Sequence, residues 1–201
     1  MSGNSRYMLV QYVTVARIPL AISVAVLLQF AAAKEPLAFV VIGLLVVQEL
    51  TDMFDGWLAR RLGASSRFGS LFDPYCDSIA RLITFFGLAA AGMCDSWLFL
   101  LLAVRDVSVA YIRFMCILKG LQVAARVSGK LKALAQGIGA IVLVVLFSFG
   151  GPVGVKKPWL AEGVEHAPLV IEILIAVVTF WSLLDYFKAA RHKPVGEPLT
   201  K

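Results

Sequence analysis

The chain has 201 residues, 60% of them hydrophobic, a mean hydropathy of +0.84 and a formal charge of +6. A soluble domain is closer to half apolar, so these values exclude an ordinary soluble fold and point to one integral membrane domain spanning residues 1–201. The basic excess is that of loops near anionic lipid; no basic patch interleaves with aromatics, which argues against nucleic acid as a partner.

Six apolar segments are long enough to span at about 20 residues each. They lie near 10–32, 37–59, 70–92, 97–119, 131–150 and 168–188. No alternation of strand period competes with them, and helices satisfy their own backbone in lipid. The expected fold is an all-α integral membrane protein with six transmembrane helices.

The first segment is too long, and carries Arg17 too far inside, for a cleaved leader. A cation within a span must snorkel or pair. Thr14 stands three residues before Arg17 on the same helical face, and either a surface or a phosphate contact is open to the pair.

The second segment runs into a stretch at 52–77 with four carboxylates: Asp52, Asp55, Asp73 and Asp77. On helices, the first two share a face at i,i+3 and the last two at i,i+4. The short polar link between the two helices predicts that they pack antiparallel, with the four carboxylates converging between them. Each acid near a membrane centre costs roughly 2.5–3.5 kcal/mol, and four together repel one another. Divalent cations relieve both problems, and an all-carboxylate set without His or Cys favours Mg²⁺, Mn²⁺ or Ca²⁺ over zinc. The chemistry such a site usually serves is phosphoryl transfer. Glu49 lies one turn before Asp52 and could support the site from behind. Arg60, Arg61 and Arg67 follow the first carboxylates. Pro74 is expected in the first turn of the third helix, where its missing N–H has no partner. Arg81, one turn past Asp77, could pair with it.

The fourth segment carries Arg105, Asp106 and Arg113. The two arginines, eight apart, share a face, and a guanidinium fork suits a substrate phosphate. The loop beyond is basic, and Gly129, Lys130, Lys132 and Gln136 open the fifth helix. The segment 150–167, the sixth helix with Glu172, Asp185 and Lys188, and the polar tail give no chemistry. Cys76, Cys94 and Cys116 have no metal or redox spacing and read as small apolar fillers; His166 and His192 stand apart in polar segments. The inside segments hold twelve cations (Arg6, Arg60, Arg61, Arg67, Lys119, Arg126, Lys130, Lys132, Lys188, Arg191, Lys193, Lys201) against three outside (Lys34, Lys156, Lys157). That asymmetry predicts a multi-pass protein of the cell membrane with both termini and the aspartates on the cytoplasmic side.

The spacing Asp-x2-Asp-Gly-x2-Ala-Arg-x8-Gly-x3-Asp-x3-Asp at Asp52, Asp55, Gly56, Ala59, Arg60, Gly69, Asp73 and Asp77 resembles the CDP-alcohol phosphotransferase family, and so many fixed spacings make a specific signal. Thr14-x-x-Arg17, Arg105-Asp106 with Arg113, and Gly129-Lys-x-Lys-x-x-x-Gln136 resemble its phosphatidylglycerophosphate synthases. Three positions depart from their pattern: Gln11 for Asn, Ser78 for Lys and Ala133 for Thr. The resemblance covers about residues 11–136. It implies a CDP-alcohol phosphotransferase-like bundle, often a homodimer, that moves a phosphatidyl group from CDP-diacylglycerol to an alcohol and releases CMP. It also implies two Mg²⁺ or Mn²⁺ ions, one on Asp52, Asp55 and Asp73 and one on Asp52, Asp73 and Asp77, with Asp77 as the general base. Gly56, Ala59, Arg60 and Gly69, with Thr14 and Arg17, would hold the CDP-lipid. Arg105, Arg113, Lys130, Lys132 and Arg67 would hold the acceptor's phosphate, which makes sn-glycerol 3-phosphate the leading acceptor. Inositol phosphate, serine and phosphatidylglycerol (a cardiolipin synthase) remain open, as does a different class, a small divalent-metal transporter.

Overall fold

The structure is a computed structural model describing residues 3–31, 35–62, 69–118, 126–150 and 166–191. At 3–11, 13, 35, 52–62, 69–71, 149–150 and 190–191 it describes the backbone alone. Among the described residues there are six helices: α1 (Gly3–Ala31), α2 (Glu35–Leu62), α3 (Gly69–Ala90), α4 (Ser96–Leu118), α5 (Val127–Gly150) and α6 (Ala167–Arg191). They match the six apolar segments in number, order and place. Three carry stretches long and apolar enough to cross a membrane: Thr14–Ala31, Val127–Ser148 and Ala167–Ala189. α3 and α4 are interrupted by charge, at Asp73, Asp77 and Arg81 and at Arg105, Asp106 and Arg113.

α1 packs against both α3 and α2, α5 against α6 and α2, and α4 against α6 and α3. Among the described residues, α1 lies against both α2 and α3, which meet each other directly through the Glu49–Arg81 pair. Chain proximity favours the direct pair; the buried polar groups of α1 favour its place against both. Pro74 also falls differently from expectation. α3 begins at Gly69, so Pro74 lies beyond the first turn and removes one interior backbone hydrogen bond beside Asp73.

Apolar side chains fill the bundle at the end away from these charges. Val24 and Leu28 of α1, Leu45 of α2, Phe85 and Leu88 of α3, Leu102 of α4, Leu143 of α5 and Ile175 of α6 form one buried cluster. In lipid this burial gains little from water exclusion, so close contact between helices must supply the cohesion. α1 and α3 approach each other closely at Gly87. A β-carbon there would stand 2.6 Å from the Ala25 α-carbon, and Gln29 Nε2 donates to the Gly87 carbonyl at 3.1 Å. Gly87→Val is expected to push α1 off α3 and to destabilise the bundle by roughly 1–3 kcal/mol. Thermal unfolding in detergent reads this directly; an unchanged transition would mean that α1 does not sit as described.

Candidate active site

The first turns of α3 place Asp73 and Asp77 on one face, and α1 meets them with matching spacing. Thr14 Oγ1 donates to Asp73 Oδ1 at 3.3 Å. Arg17 Nη1 donates to Asp77 Oδ1, and its Nη2 donates to the Thr51 carbonyl at 3.4 Å. One guanidinium thus joins three helices. It bridges the Thr51 carbonyl, just before Asp52, to Asp77. Thr14 and Arg17, expected against the CDP-lipid, are buried and meet the carboxylates of α3. The reason is the position of α1, whose Thr14–Arg17 face looks along α3. Glu49 takes Arg81 in a two-bond pair at 3.1 and 3.3 Å. A β-carbon on Gly137 would lie 2.3 Å from the Glu49 carboxyl, so the bare backbone of α5 makes room for that pair.

Asp52, Asp55, Gly56, Ala59 and Arg60 lie on α2 and Gly69 opens α3, but their side chains lie outside the described residues, as does Arg67 entirely. Among the described residues no group of three potential ligands stands together. Asp73 and Asp77 are nonetheless one helical turn apart, offer only hard oxygen donors, and face the stretch of α2 that leads into Asp52. That donor chemistry fits a hard divalent cation.

Asp77 is also the link to a larger space. Its side chain, 32% exposed, lines a cavity of about 600 Å³ among α3, α4, α5 and α6. The lining includes six cations (Arg81, Arg105, Arg113, Arg126, Lys130 and Lys132) against two carboxylates, Asp77 and Asp106. Such an imbalance in a recess with low-dielectric walls concentrates anions. Lys130 is exposed at the start of α5, whereas Arg105, Asp106 and Lys132 are all more than nine-tenths buried. Arg105 Nη1 donates to Asp106 at 2.8 Å and Nη2 to Ser182 Oγ at 2.6 Å. Lys132 Nζ reaches both oxygens of Asp106, at 2.7 and 3.0 Å. Lys132, expected on the acceptor's phosphate, lies in the cavity wall with its ammonium on Asp106, since a cation so deeply placed needs a fixed counter-charge. Arg105 keeps a buried Nε with no hydrogen-bond partner among the described residues, and so does Arg113.

The sequence reading placed α6 but gave its inner face no part in the site. Thr179, Ser182, Asp185 and Tyr186 recur at helical spacing down its inner face. Gln136 donates to Thr179 at 3.4 Å, Arg126 pairs with Asp185 at 2.6 and 2.8 Å, and Ser128 donates to Asp185 at 2.5 Å. The available signal was that polar stripe at i, i+3 and i+7 in an otherwise apolar span.

Residues 7–181 match the model of the CDP-alcohol phosphatidyltransferase family. The chain belongs to that family. It is 32% identical over 153 residues to a protein of Pectobacterium atrosepticum named CDP-diacylglycerol–glycerol-3-phosphate 3-phosphatidyltransferase, covering 73% of this chain and 76% of that one. The similarly named protein of Escherichia coli K12 is 31% identical, over 72% and 75%. That of Treponema pallidum is 30% identical, over 68% of this chain and 64% of its own length, less than two thirds. Among solved structures, the phosphatidylinositol phosphate synthase of Mycobacterium tuberculosis with CDP-diacylglycerol bound matches with a TM-score of 0.59 at 20% identity, over 96% of this chain and 90% of that one. A second structure of that synthase, with manganese and citrate, matches with a TM-score of 0.56 at 21% identity. These two establish the fold of this family member, an all-helical membrane bundle.

Proposed function

We propose that this family member transfers the phosphatidyl group of CDP-diacylglycerol to the hydroxyl of sn-glycerol 3-phosphate, releasing CMP and forming phosphatidylglycerophosphate. The observation that carries the reading is the shared space: Asp77 stands in the wall of a cavity lined by six cations. An alcohol whose own phosphate rests on Arg105, Arg113 and Lys130 would present its hydroxyl towards Asp77. Asp77 would take the hydroxyl proton as oxygen attacks the phosphorus next to the diacylglycerol and the bond to the CMP oxygen breaks. Arg17 and Thr14 would hold the two carboxylates of α3 in register. Gly56, Ala59, Arg60 and Gly69 would cradle the cytidine and diphosphate, and Arg67 would stand at the acceptor's phosphate. Asp52, Asp55, Asp73 and Asp77 would hold two Mg²⁺ or Mn²⁺ ions, whose contribution when bound is to neutralise charge on the diphosphate. The excess of cations in the inside segments supports a six-span bundle of the cell membrane with this end facing the cytoplasm.

CMP release from CDP-diacylglycerol, with a panel of alcohols, tests the reading. Release is expected with glycerol 3-phosphate, little with serine, and none after chelation by EDTA until Mg²⁺ or Mn²⁺ is restored. Inositol phosphate would satisfy the same cations, so preference for it would move the acceptor but not the chemistry. Phosphatidylglycerol as the preferred acceptor would mark a cardiolipin synthase. No CMP with any alcohol, together with metal-ion flux into vesicles, would sink the transferase in favour of a transporter.

A further inference from the structure

One side chain of α6 enters the cation-lined cavity. Tyr186 is only 1% exposed, and the guanidinium carbons of Arg105 and Arg113 lie over its ring at 5.3 and 5.4 Å from the centroid. Its hydroxyl accepts a hydrogen bond from Arg113 Nη2 at 2.7 Å. Two guanidinium groups on one face of α4 repel each other where water is excluded. An aromatic ring attracts both through its quadrupole and leaves their charge intact for a ligand, which a carboxylate would not. Asp185, the neighbouring residue, is bound by Arg126 and Ser128, so the register of α6 against the start of α5 is fixed. A β-carbon on Gly129 would lie 3.2 Å from the tyrosine oxygen, which shows how closely α5 approaches it. The match to the family ends at residue 181, before Tyr186.

We infer that Tyr186 is a positioning residue for the acceptor's phosphate: its ring and hydroxyl set the spacing of Arg105 and Arg113, through which it acts. The inference rests on the reading of the cavity as the acceptor's, and it extends that reading to a residue beyond the segment matched by the family model. The unpartnered Nε groups of both arginines are the donors such a phosphate would find.

The test compares the full chain with Tyr186→Phe, which keeps the ring, and Tyr186→Leu, which removes ring and hydroxyl. Titration of inorganic phosphate into the solubilised protein is the first readout. Affinity is expected to fall by about 3-fold in the Phe variant, the scale of one hydrogen bond, and by ~10-fold or more in the Leu variant. The KM for glycerol 3-phosphate should rise in the same order, while kcat and the KM for CDP-diacylglycerol stay within about twofold. Wild-type phosphate affinity in the Leu variant overturns the inference. So does a wild-type chain that binds no phosphate, or a loss confined to kcat. Should the Leu variant not fold, the Phe variant decides: an unchanged phosphate affinity and acceptor KM would end the proposal. Phosphate binding that depends on Tyr186, in a chain that releases no CMP with glycerol 3-phosphate, would support the positioning role and remove the proposed acceptor alone.

Discussion

Asp77→Asn is expected to lower CMP release by about 10²–10⁴-fold while the protein still folds. The replacement keeps shape and one oxygen, so Arg17 Nη1 retains an acceptor and Nη2 keeps the Thr51 carbonyl. What is lost is the negative charge, and with it the capacity to take a proton. Asp77 is a third exposed and opens on the large cavity, so water compensates part of the charge lost beside the buried Arg17, and the Asn variant is expected to lose some stability yet still fold. Activity and thermal unfolding should therefore separate. A fully active Asn variant would remove the base assignment; an inactive variant that also fails to fold would show that Asp77 is needed as Arg17's partner rather than as a base.

Asp106→Ala is expected to act the opposite way, through stability. Asp106 is the one carboxylate shared by Arg105 and Lys132, and all three are buried. Its removal leaves two cations facing each other without an anion, a loss of about 3–5 kcal/mol. The double variant Asp106→Ala with Lys132→Met removes one of those stranded charges. It should unfold at a higher temperature than Asp106→Ala alone, a non-additivity that marks direct coupling. If the double variant is the less stable of the two, Lys132 is not held by Asp106 in the way the distances indicate.

Much of this architecture was legible in the chain. Six apolar runs became six helices because hydropathy outweighs other local preferences in a segment that must keep its backbone away from water. The pairing of helices was less legible. A link of a few residues between α2 and α3 made them look like partners, and the Glu49–Arg81 pair joins them, but the decisive contacts are those of Thr14 and Arg17 with residues 59 and 60 positions away. No local pattern encodes such a distance. The acidic spacing at 52–77 announced its chemistry through residue type alone. The basic residues did not sort themselves: Arg105, Arg113 and Lys132 look alike in the sequence, and only burial shows that Asp106 claims Lys132 while Tyr186 takes Arg113. Tyr186 itself reads as one more aromatic in an apolar span, since its partners lie on two other helices.

The clamp of Asp185 on Arg126 and Ser128 also bears on how the protein is made. The helix carrying it, α6, is synthesised after α1–α5. Until it docks, the preceding helices present Arg105 and Arg113 with neither Ser182 nor the tyrosine ring against them. On the proposed function, a nascent chain halted before residue 182 would own its carboxylates but lack the contacts that set Arg105 and Arg113, so transfer would await α6.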